Sequence, residues 1–93
     1  MNPSDTLSKH FAELKSRYKI KKLGVFGSYV KGQEQPASDV DILVSFEEPV
    51  GIFTFIGLKE FLESILNHRV DLVTEKALKP AIKENILREV RYL

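Results

Sequence analysis

No cysteine occurs in these 93 residues, which excludes a disulfide framework and a thiolate zinc site. No apolar run approaches the roughly 18 residues that a membrane span requires. The opening MNPSDTLSKH lacks the charged-then-apolar layout of a secretion signal, so a cytoplasmic location is the default expectation. An excess of one charge is also missing. Fourteen basic against thirteen acidic residues leave +1, which is no global nucleic-acid signature. Internal repeats, low-complexity tracts and linkers are absent, and the length predicts a single domain over 1–93 with one modest core.

What is present has the balance of a globular chain, 43% hydrophobic and 29% charged. The charge is unevenly placed. Residues 1–35 carry seven basic and three acidic side chains, whereas 36–63 carry one basic and six acidic. An acidic centre behind a basic approach suits a metal-bound polyphosphate.

Helix-period and strand-period patterns alternate along the chain. Leu7, Phe11, Leu14 and Tyr18 recur at spacings of four, three and four, which predicts a helix over 5–18 with Ser4 or Asp5 as N-cap. Lys15, Arg17, Lys19, Lys21 and Lys22 then cluster, either as a solvated helix end or as a surface that steers a nucleotide or partner. A first strand is expected over 20–26, where Gly24 marks a close backbone approach or a bulge. A short helical turn over 28–31 is closed by Gly32, and 33–38, with Pro36 in its middle, reads as a loop. Second and third strands are expected over 39–46 and 69–74.

Between those two strands, VGIFTFIG at 50–57 has two readings, a helix start or a covering loop. Its apolar side chains have two readings, ordinary core, the favoured one in a domain this small, or a partner-docking patch. Leu58, Phe61, Leu62, Ile65 and Leu66 predict a helix through Asn67. Ile82, Ile86, Leu87 and Val90 predict a last helix, opened near Lys79-Pro80. The expected architecture is α/β, two-layer, with a small mixed three-stranded sheet backed by helices on one face. The other face is expected to stay open for chemistry.

That face carries the chemistry-bearing residues, most of them within the stretch GSYVKGQEQPASDVD at 27–41. Gly27-Ser28 leaves the first strand and supplies backbone N–H groups and a hydroxyl suited to an anion. Asp39 and Asp41, two apart on a strand, point to one side. Asp71 from the third strand completes an all-oxygen set for two magnesium ions, one at an attacking hydroxyl and one at a triphosphate. Carboxylates this crowded repel one another without a cation, so the cluster has little structural logic alone. His10 and His68 have no ligand spacing and read as surface or packing residues, and Tyr29 is left outside the site.

These segments together resemble the DNA polymerase beta-type nucleotidyltransferases, and most closely their minimal nucleotidyltransferase branch. Gly27-Ser28-Tyr29-Val30-Lys31-Gly32 is similar to the GS-x-x-[RK]-G segment, and Ser38-Asp39-Val40-Asp41-Ile42-Leu43-Val44 to SD-x-D-hydrophobic. Arg69-Val70-Asp71-Leu72-Val73 is similar to the strand that carries the third aspartate. The resemblance implies magnesium-dependent transfer of a nucleoside monophosphate from a triphosphate onto a hydroxyl, with release of pyrophosphate; ATP is the expected donor. Asp39, Asp41 and Asp71 are implied as catalytic metal ligands, with Asp71 also the base, and Gly27, Ser28 and Lys31 as nucleotide-binding residues. Val30-Lys31 departs from the usual Ala-Arg; lysine keeps the charge and loses arginine's planar fork.

The chain ends soon after Asp71, so the resemblance also implies that another protein brings the acceptor. Minimal nucleotidyltransferases are typically paired with a HEPN-domain toxin, and this chain is expected to be the antitoxin, adenylylating a tyrosine of that partner. The alternative is an antitoxin that neutralises by binding alone, with VGIFTFIG as its docking patch. A homodimer through the same patch is a third reading. Neither a membrane nor direct nucleic-acid binding is expected.

Overall fold

A computed structural model describes residues 2–35 and 37–93; Pro36, the centre of the expected loop, lies outside the described residues. The chain opens with helix α1 (Pro3–Tyr18), whose N-cap is Asn2 rather than Ser4 or Asp5: its Oδ1 accepts from the Ser4 N–H at 3.1 Å. Proline in the first turn pushes the start two residues upstream of the expected one, since its missing N–H would be unpaired there anyway. Strand β1 (Ile20–Phe26), the four-residue helix α2 (Ser28–Lys31) and strand β2 (Val40–Phe46) follow. Helix α3 (Ile52–Leu66), strand β3 (Val70–Thr74), a 3-10 turn (Glu75–Ala77), helix α4 (Pro80–Glu89) and strand β4 (Arg91–Tyr92) complete the order.

The sheet runs β3-β2-β1-β4, with β2 and β3 parallel and both other pairs antiparallel. It is mixed, as expected, but has four strands rather than three. The fourth is two residues long, too short to show any alternation in sequence. It docks because Gly24 has no side chain: a Cβ there would lie 2.7 Å from Val90 Cγ2 and 3.0 Å from the Arg91 carbonyl oxygen. Of the two roles open to Gly24, the close approach is the one observed.

Alternation along the strands divides the core in two. Leu23 and Val25 of β1, Val40, Ile42 and Val44 of β2, and Val70 and Leu72 of β3 face α1 and α3. There they meet Leu7, Leu14 and Tyr18 from α1 and Leu58, Leu62 and Leu66 from α3, all buried. Burying each leucine contributes roughly 1.5–3 kcal/mol, so these two stripes hold both helices on the sheet. On the opposite face, Phe26, Leu43 and Val73 form a smaller cluster with Leu78, Ile86, Leu87 and Val90. Helix α4 thus covers part of the face that was expected to be wholly open. The part left free lies at the ends of the strands that bear the aspartates.

VGIFTFIG resolves into Val50-Gly51 and the first turns of α3. Phe55 packs against the main core, but Ile52, Phe53 and Ile56 are exposed, Phe53 by 87%. An all-core reading of this stretch is therefore wrong for those three. Among the described residues, no helix is long and apolar enough to cross a membrane.

Candidate active site

Parallel pairing of β2 with β3 sets Asp41 directly beside Asp71, and antiparallel pairing sets Phe26 on the other side of Asp41. All three side chains emerge on the α4 face, where Phe26 is buried under α4 while Asp41 is half-buried and Asp71 exposed. The next residue after Phe26 is Gly27, at φ 77° and ψ −149°, a conformation essentially confined to glycine. A Cβ at this position would collide with the Asp41 carboxylate. Glycine is thus needed twice, for its backbone angles and for the space that Asp41 occupies. The same turn starts α2: the Val30 and Lys31 N–H groups both donate to the Gly27 carbonyl at 3.1 Å.

Close packing raises the acidity problem that carboxylate pairs always carry. Partial burial pushes the Asp41 carboxyl up to about 6, and the neighbouring charges of Asp71, Asp39 and Glu89 act in the same direction. Asp71 also stands as a hydrogen-bond partner for the protonated Asp41 carboxyl, which adds to the shift. Asp39 sits just before β2 rather than within it, and its Oδ1 is paired with Arg69 Nε at 3.3 Å. The three aspartates are therefore not gathered into one cluster. Among the described residues, no three His, Cys, Asp or Glu side chains are assembled to hold a metal ion. The Asp41–Asp71 pair nonetheless offers what magnesium requires, two hard oxygen donors whose mutual repulsion a cation would relieve.

Lys31 leaves α2 and pairs with Glu89 near the end of α4, Nζ to Oε2 at 3.2 Å. Ser28 is half-buried at the head of α2. The structure also uses two residues that the sequence pattern left aside. His68 Nε2 lies 3.0 Å from the Tyr29 hydroxyl and 2.5 Å from the Ser38 carbonyl oxygen. Glu89 was missed too, being fifty residues from Asp39, with no local signal of its role. A cavity of about 180 Å³ lies at the other end of β2 and β3, lined by Val44, Phe46, Pro49, Val50 and Thr74, and includes none of these carboxylates.

The structure thus brings together Asp41 and Asp71, side by side, with the Gly27 turn against Asp41 and Lys31 on the short helix that follows. A model of the nucleotidyltransferase domain family matches residues 7–93. The chain belongs to that family.

This nucleotidyltransferase is 49% identical over 87 residues to protein adenylyltransferase MntA of Thermococcus cleftensis, covering 94% of this chain and 88% of the relative. A relative from Methanocaldococcus jannaschii is 36% identical over 90 residues, 96% of this chain and 92% of its own. Among solved structures, a minimal nucleotidyltransferase superposes with a TM-score of 0.82 at 36% identity, over 100% of this chain and 97% of that one. A toxin–antitoxin complex with AMP-PNP shares the fold, with a TM-score of 0.74 at 23% identity, over 90% of this chain and 69% of that one.

Proposed function

We propose that this nucleotidyltransferase moves AMP from ATP onto a tyrosine hydroxyl of a HEPN-domain toxin and so acts as its antitoxin. The observation that carries the reading is the pair Asp41 and Asp71, side by side in register, with Gly27 against Asp41. The protein adenylyltransferase relative, with 94% of this chain aligned, supports a protein acceptor. A HEPN partner is supported by a structure of the same fold, a tri-AMPylated HEPN toxin in complex with an MNT antitoxin.

In this reading Asp41 and Asp71 would hold magnesium, and Asp39, released from Arg69, would supply the further oxygen ligand for a second ion. Magnesium when bound neutralises the triphosphate and stabilises the departing pyrophosphate. The Gly27–Ser28 turn and the Ser28 hydroxyl orient the triphosphate, and Lys31 exchanges Glu89 for phosphate oxygen. The acceptor oxygen forms a bond to the α-phosphorus as the bond to the β-phosphate oxygen breaks. Asp71, exposed at the rim, takes the hydroxyl proton.

Incubating the chain with its HEPN partner, ATP and magnesium should add the mass of AMP to the partner, and Asp71→Asn should abolish the addition. An unmodified partner would sink the enzymatic reading. If an Asp41→Ala chain then still protects cells, neutralisation is by binding alone.

A further inference from the structure

We infer that His68 is a positioning residue for nucleotidyl transfer, joining through one imidazole the three chain segments that carry the proposed site. The inference rests on the assignment of Ser28, Asp39, Asp41 and Asp71 to that site.

His68 follows the end of α3, where Asn67 takes the left-handed conformation at φ 51° and the His68 N–H donates to the Glu63 carbonyl at 3.3 Å. The Glu63 side chain also accepts from the Val70 N–H at 3.0 Å, so both sides of His68 are tied to the last turn of α3. The backbone there has little freedom. From this anchor the ring reaches across to two other segments. Its Nε2 lies 2.5 Å from the carbonyl oxygen of Ser38, the residue that precedes Asp39. A carbonyl only accepts, so Nε2 carries a hydrogen and donates to it. The same Nε2 is 3.0 Å from the hydroxyl of Tyr29, the residue that follows Ser28, and the two rings meet edge to face at 5.8 Å.

Each contact therefore falls one residue from a proposed site residue, and His68 itself stands three before Asp71. Among the described residues, the other hydrogen bonds of Ser38 go to Gln35 of the same loop. Without the imidazole, the Ser38 carbonyl and the Tyr29 hydroxyl lose their shared partner, which leaves Asp39 held by its exposed pair with Arg69 and by the Val40 N–H bond to the Arg69 carbonyl, and loosens the link between Ser38 and Ser28. Reactions of this type depend on the relative placement of phosphate and carboxylates to within about an ångström.

The test compares His68→Ala, His68→Phe and His68→Gln with the native chain in two assays. One is amide hydrogen exchange of 28–32 and 37–40, which needs neither nucleotide nor partner. The other is kcat for AMP transfer to the HEPN partner, with thermal melts to confirm that every variant folds. His68→Ala should raise exchange in both segments and lower kcat by roughly 10- to 100-fold, the usual effect of removing a supporting hydrogen bond. His68→Gln, which keeps an N–H donor, should recover most of the loss. His68→Phe, which keeps only the ring, should not.

Unchanged exchange in His68→Ala overturns the inference, as does raised exchange with native kcat. Equal recovery by phenylalanine and glutamine would reduce the role to packing and overturn it too. If the native chain transfers no AMP at all, the proposed activity fails instead, and exchange alone still decides whether His68 holds the segments.

Discussion

Replacing Asp41 with asparagine should make this protein more stable while removing its function. In the unfolded chain the carboxyl ionises near its ordinary 3.8, but in the fold only near 6. The folded state thus holds the proton more tightly. Stability from this group is complete below about pH 4 and is lost as the pH rises through about 6. A shift of two units corresponds to roughly 3 kcal/mol, and solvent screening of a part-buried carboxylate reduces it to about 1–2 kcal/mol. Asparagine has the same shape, keeps the fit against Gly27 and carries no charge to repel Asp71.

At pH 7.5 in EDTA, Asp41→Asn should melt roughly 5–10 °C above the native chain, the shift expected of about 1–2 kcal/mol in a domain this small. The gain should shrink as the pH falls and be gone near pH 4, because the native carboxyl is then neutral as well. Magnesium and ATP should raise the melting temperature of the native chain and leave the variant where it was. Thermal melts at three pH values, with and without magnesium and ATP, provide every arm. A variant no more stable than the native chain at pH 7.5, or a gain unchanged near pH 4, would refute the reasoning.

Other outcomes follow from single contacts. Gly27→Ala places a methyl group on the Asp41 carboxylate in a backbone conformation alanine avoids, and should cost about 1–3 kcal/mol in urea melts together with ATP binding. Lys31→Ala breaks only a part-exposed ion pair, so stability should change by under about 1 kcal/mol. Calorimetry should still show ATP bound at least about tenfold more weakly, the loss of one charged hydrogen bond to phosphate. Arg69→Ala frees Asp39 from an exposed pair and should tighten magnesium binding by less than about fivefold, read by the same titration. Leu62→Ala should lose about 2–5 kcal/mol, whereas Phe53→Ser should stay within about 0.5 kcal/mol of native.

Much of this protein was legible from local pattern. The stripes Leu7-Phe11-Leu14-Tyr18 and Leu58-Phe61-Leu62-Ile65-Leu66 announce helices because burial of one face needs the 3.6-residue period, and the structure buries six of the nine and half-buries Phe11, Phe61 and Ile65 against the core. The alternation of Asp39 and Asp41 into Ile42-Leu43-Val44 announced a strand with its acids on one side, although Asp39 falls just outside the strand itself. VGIFTFIG was ambiguous because a short apolar run fits helix or loop, core or surface, equally well.

Sequence by itself therefore determined three of the four strands and the existence of the helices, and that a glycine-serine turn and alternate carboxylates are present. Those are properties of near neighbours, fixed by period, side-chain volume and backbone freedom. Tertiary structure alone decided the rest. Register between β2 and β3 puts Asp41 against Asp71, and the bare Cα of Gly24 admits β4 as a fourth strand. Packing across the sheet brings α4 onto the face with the aspartates and Glu89 to Lys31, and carries His68 to both Tyr29 and Ser38. Each of these joins residues far apart in the chain, and no periodicity records a contact whose partners come from different elements.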